Sequence, residues 1–172
     1  MLKRGVMMLT LVAAVSGCDD SPTAPDDPNV VVMTAQLSAA NEVPPVTNAE
    51  ANARGDVRIT FNLTRDGSNN ITAATATFVV NLNSFPAGSS WTLAHIHTGA
   101  AGVAGGAIVN TGLTPATAIT LTNGAVSNHT FANITVAPAD MNNILANPAG
   151  FYFNAHTVLN PGGAVRGQLV RP

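Results

Sequence analysis

Lysine occurs once in this 172-residue chain, at Lys3, and cysteine once, at Cys18. Only 9% of the residues are charged and 5% aromatic. Each scarcity excludes something. One cysteine cannot close an internal disulfide, so burial and backbone pairing must hold the fold. Seven basic residues against nine acidic ones offer no face that could track phosphates, which excludes nucleic acid as a partner. No Gly-x-Ser-x-Gly elbow, phosphate loop or dinucleotide fingerprint occurs. Glu42, Glu50, Asp56, Asp66 and Asp140 fall on turns and boundaries, without the pairing that glycoside hydrolysis requires. An enzymatic activity is open only by way of a metal.

The two scarce residue types meet at the N-terminus. Lys3-Arg4 precede an apolar stretch from Val6 to Val15, about half the ~20 residues of a membrane-spanning helix. Small residues then lead to Cys18, the layout of a secretory signal. Val15-Ser16-Gly17-Cys18 resembles the lipobox of bacterial lipoproteins, which implies that Cys18 becomes the lipidated first residue after removal of 1–18. Several acyl chains, at about 0.8 kcal/mol per buried CH₂, anchor a protein to a membrane effectively permanently. The expected location is the bacterial cell envelope, on the periplasmic face or the cell surface. Residues 19–29, rich in Pro and Asp and free of large apolar side chains, read as a disordered tether. Residues 30–172 then form a single domain, and loss of Lys3 and Arg4 takes the net charge from −2 to −4.

What is abundant is Thr, Asn, Ala, Gly and Val, a palette of strands and tight turns. Val57, Ile59, Phe61 and Leu63 alternate with Arg58, Thr60 and Asn62, which predicts a half-buried strand over 56–63. A turn at 65–70 returns the chain as a strand over 71–80. Further strands are expected at 30–37, 91–97, 107–110, 118–122, 126–131, 151–156 and 164–170. Met141, Ile144 and Leu145 predict one short helix within 138–147, stopped by Pro148. Asn-x-Thr triplets at Asn62, Asn70, Asn128 and Asn133 read as enrichment of Asn and Thr on strands and turns. The expected class is all-β, an antiparallel Greek-key β-sandwich with one short helix.

Three stretches match one pattern: 37–46 (LSAANEVPPV), 94–109 (AHIHTGAAGVAGGAIV) and 150–169 (GFYFNAHTVLNPGGAVRGQL). In this order and spacing they resemble the CHRD domain, named after chordin and common in exported bacterial proteins. The resemblance implies a β-sandwich over about 32–170, with no defined biochemical role. It does not carry chordin's growth-factor partners to a bacterial lipoprotein.

The candidate site lies in these stretches. His95 and His97 stand two apart in a strand, so their imidazoles leave one face of the sheet. If the strand ending at His156 lies beside them, three imidazoles converge, a set that suits copper or zinc. Glu42 and His129 are candidates for a fourth ligand, Glu42 the better because it lies in a matching stretch. A polar structural cluster accounts for the same histidines, and an ion pair for Glu42 and Arg166. The His-x-His pair also resembles that of Cu/Zn superoxide dismutases. The bridging histidine and aspartate cluster of that family is missing here, so dismutase activity is not expected. The leading expectation is a noncatalytic envelope module that binds a protein or polymer partner; the alternative is a copper- or zinc-binding protein.

Overall fold

The computed structural model describes residues 27–172. The expected signal peptide, Cys18 and residues 19–26 of the expected tether lie outside the described residues. Asp27 opens a turn: its carboxylate accepts from Asn29 N and its carbonyl from Val30 N.

That turn delivers the chain into β1 (Val30–Ser38), which pairs with β2 (Arg54–Arg65), itself a hairpin with β3 (Ile71–Asn83). β4 (Ser89–Thr98), β5 (Ala107–Asn110), β6 (Ile119–Leu121) and β7 (Val126–Val136) follow. The helix α1 (Pro138–Ala146), β8 (Phe151–Thr157) and β9 (Val165–Gln168) complete the chain. All pairings are antiparallel, and one sheet runs β5-β4-β8-β9-β1-β2-β3-β7, with β6 beside β4. Its ends approach each other: β5 contacts β7, and Trp91 of β4 packs edge-on against Phe131 of β7. The sheet is thus nearly closed into a barrel. The all-β antiparallel class with one short helix is as expected, its strands forming one continuous, curled sheet.

Alternation explains the packing. Val31, Met33, Ala35 and Leu37 of β1 point inward, as do Val57, Ile59, Phe61 and Leu63 of β2 and Ala76, Phe78, Val80 and Leu82 of β3. Phe78 meets Phe153 of β8 across the core at 5.9 Å. Each such large side chain contributes about 1.5–3 kcal/mol by burial, the main stabilisation open to a chain that cannot form an internal disulfide. Met141 and Ile144 of α1 are fully buried, and the helix packs on β3. Among the described residues no helix is long and apolar enough to cross a membrane.

β8 departs from the half-buried pattern: all seven of its residues are buried. Phe151, Phe153 and Ala155 face the core, while Tyr152, Asn154 and His156 face outward and are covered by loops. A polar outer face buried beneath loops is the fold's most unusual feature, and it carries the candidate site.

Candidate metal centre

Register assembles this face. His95 is the Cα partner of Asn154, His97 of Tyr152, and Asn154 of Arg166. In the same unbroken register His156 pairs with Leu93, and the register shifts only beyond it, between Trp91 and Leu93. The ring centroids lie 5.1 Å apart for His95–His156, 5.4 Å for His95–His97 and 5.8 Å for His97–His156. One ring nitrogen from each of the three falls within 4.8 Å of the others.

Backbone carbonyls orient two of the rings. His97 Nδ1 lies 3.0 Å from Gly105 O, and His156 Nδ1 lies 3.0 Å from Pro161 O. A carbonyl only accepts, so both Nδ1 atoms carry hydrogen and both Nε2 atoms present lone pairs. This is how metal-ligating histidines are held, with the far nitrogen donating to a carbonyl or carboxylate. His95 Nδ1 lies 3.3 Å from His156 Nε2. Two nitrogens bound tetrahedrally at ~2.0–2.1 Å from zinc stand about 3.3–3.4 Å apart. The His95–His156 contact therefore already has the length of one edge of such a site, and the third nitrogen lies within 4.8 Å of both.

Burial sets the protonation. It pushes the His95 pKa down to about 4, reinforced by the neighbouring His156 and His97. Burial also lowers His97 and His156, against the opposing effect of their carbonyl contacts, and the Arg166 charge lowers His97 further. All three imidazoles are neutral at pH 7; His156 Nε2 accepts from His95 Nδ1–H, so an ion bound through His95 Nδ1 requires the other tautomer of that ring. His97 Nε2 is buried and has no hydrogen-bond partner.

The loops that cover the face are built for it. Gly105, in the Gly-rich connection after β4, donates its N–H to Tyr152 Oη at 3.2 Å while its carbonyl holds His97. A Cβ at Gly105 would collide with the Thr98 carbonyl, so the loop approaches the strand this closely only with glycine. Arg166, 2% exposed, donates to Ala100 O, Val103 O and Gln168 Oε1 at 3.1 Å each. Its guanidinium carbon lies 3.5 Å from the centre of the Tyr152 ring, and that ring stacks on His97 at 5.0 Å. The second loop is clasped by Glu50, whose Oε2 accepts from Thr157 Oγ1 and Asn160 Nδ2 at 2.6 Å each. That clasp fixes the segment that presents Pro161 O to His156.

Glu42 is buried beside this cluster. Its Oε2 accepts a long hydrogen bond, 3.5 Å, from Asn154 Nδ2, while its Oε1 has no partner. Burial pushes its pKa up to about 7 against the Arg166 charge and the Asn154 contact. Glu42 and Arg166 line one cleft of about 520 Å³, and the hydrogen bonds of Arg166 go to the loop carbonyls and Gln168 instead of Glu42. His129 is placed elsewhere, edge-on to Trp91 and Phe131 at the seam of the barrel. Asn154 and Glu50 carry parts of the site that the sequence reading did not assign. Glu50 had one available signal, a charge in a chain with few.

A family model for the CHRD domain matches residues 33–169, and the chain belongs to the CHRD family. No curated protein and no solved structure matches it. The matched span contains the whole cluster, from Glu42 to Gln168.

Proposed function

We propose that this chain is an envelope-anchored metal-binding protein whose CHRD domain holds one copper or zinc ion through His95, His97 and His156. One observation carries the reading: His97 Nε2 is a buried lone pair with no partner, in a ring whose other nitrogen is already fixed by Gly105 O. A purely structural cluster satisfies its buried polar atoms, and leaving one unsatisfied costs about 1–3 kcal/mol. A metal ion is the partner that this nitrogen and its two neighbours share. A noncatalytic module for a protein or polymer ligand makes no use of that nitrogen, which is why the metal reading is preferred. The lipobox-like segment and the tether supply the setting: a lipid anchor on Cys18 holds the domain at the membrane surface, where copper or zinc is buffered or passed on.

The test uses the full chain, purified without a metal-binding tag and challenged with copper and zinc, then with a competing chelator. Elemental analysis should find about one ion per chain in the wild type and none in the His95/His97/His156 triple alanine, with the β-sheet circular dichroism retained. A triple alanine that keeps its metal, or a wild type that takes none, refutes the proposal.

A further inference from the structure

We infer that the ion in this site keeps one coordination position for a small exogenous ligand, water at rest, received by the Asn154 carboxamide and the Glu42 carboxyl. The inference rests on the metal reading above. Among the described residues, three buried side-chain polar atoms lack a hydrogen-bond partner: His97 Nε2, Asn154 Oδ1 and Glu42 Oε1. His97 Nε2 belongs to the three-nitrogen group, and Asn154 and Glu42 are joined to it through the pairing of Asn154 with His95. Asn154 is the Cα partner of His95 and stands two residues before His156 on the same face of β8. It donates Nδ2 to Glu42 Oε2, which leaves Oδ1 and Oε1 as acceptors with nothing to accept.

A bare ion satisfies His97 Nε2 and leaves the two oxygens as they are. Glu42 as a fourth ligand would satisfy its own Oε1 and still leave Asn154 Oδ1 without a donor. Water bound to the ion has what is missing: a lone pair for the metal and two O–H groups for two acceptors. One aquo-metal unit thus answers all three orphaned atoms. Three protein ligands with a fourth, exchangeable position is also the arrangement of an open metal site, where structural sites are closed by four. Gly163, at φ +140°, makes room for the pair. A Cβ there would stand 2.6 Å from Glu42 Oε2 and 2.7 Å from Asn154 Nδ2. Glu42 also lines the 520 Å³ cleft together with Ala101, Arg166 and Gln168, which has room for a small molecule. The expected ligand class is therefore water or a small anion that displaces it.

The test loads the full chain with Cu(II) and uses azide as the probe. Deuterium electron–nuclear double resonance in D₂O should detect exchangeable deuterons on a copper-bound water, and azide should remove them as its charge-transfer band grows. Glu42→Gln replaces a carboxylate with a group that donates to an anion, so azide affinity per bound copper should rise roughly tenfold. Glu42→Ala, which removes the charge and the acceptor together without adding a donor, should shift it in the same direction. Absence of copper binding in the wild type overturns the metal reading, and this inference with it. Copper that binds without exchangeable deuterons or azide leaves the metal reading standing and overturns the open position. Azide affinity unchanged in both Glu42 variants overturns the assignment of the receiving pair.

Discussion

Glu42 and His95 titrate in opposite senses, and the pair gives the metal-free protein an unusual pH profile. His95 has its folded pKa depressed from 6.5 to about 4, so the stability linked to its neutral form is complete above pH 6.5 and is lost as pH falls toward 4. Glu42 has its folded pKa raised from 4.5 to about 7, so the stability linked to its protonated form is complete below pH 4.5 and is lost as pH rises through 7. Glu42→Gln removes the second branch. It should leave stability equal to wild type near pH 4.5 and higher by about 2–3 kcal/mol above pH 7, measured by urea denaturation of the metal-free chain across that range. A difference that shrinks with rising pH contradicts the assignment of a buried, charge-destabilised carboxyl.

At the scale of elements, loops do for this site what strands cannot. β4 and β8 place three rings on one face, but the Gly-rich connection and the 158–163 segment fix the ring faces through Gly105 O and Pro161 O. Gly105→Ala forces the first loop off Thr98 and with it the carbonyl off His97. Metal affinity should fall by about 10–100-fold, the usual cost of losing a partner that orients a ligand. Gly67→Ala, in the β2–β3 turn with open space around it, should leave affinity unchanged in the same chelator competition. Much at this scale was legible beforehand. The alternation of Val57 to Leu63 marked β2, and the Met141, Ile144, Leu145 spacing marked α1. β7 ran five residues past the expected end at Phe131. Asn128 and Asn133 take positive φ there and the pairing with β3 shifts register twice, so irregular steps broke the alternation that would have revealed the strand. The His95–His97 pair was visible as i, i+2 spacing. Its convergence with His156 depends on which strands are neighbours and on their register, neither of which is written locally. Asn154 escaped assignment because asparagine is common in this chain and its side-chain partner, Glu42, lies 112 residues away.

For the whole molecule, a nearly closed barrel gives a rigid frame to a site built on its outer face. Ion binding should therefore stabilise the entire fold by mass action. At a free metal concentration a hundredfold above Kd the gain is about 2.7 kcal/mol, which for a domain of this size corresponds to a Tm increase of roughly 6–10 °C. Differential scanning calorimetry should show that rise in the wild type and none in the triple alanine. The proposed anchor is a separate matter, since Cys18 lies outside the described residues. Cys18→Ser should yield an unlipidated protein that leaves the detergent phase on phase separation, while its metal content is unchanged. Undiminished detergent partitioning of that variant contradicts lipidation at Cys18.

The central claim is that three imidazoles share one ion, and X-ray absorption on the metal-loaded full chain measures that directly. The account predicts three imidazole nitrogens at about 2.0 Å, identified by the multiple scattering of their rings, with one further light atom completing the shell. One imidazole or none, or a shell made mostly of carboxylate oxygens, contradicts it and returns His95, His97 and His156 to a structural role.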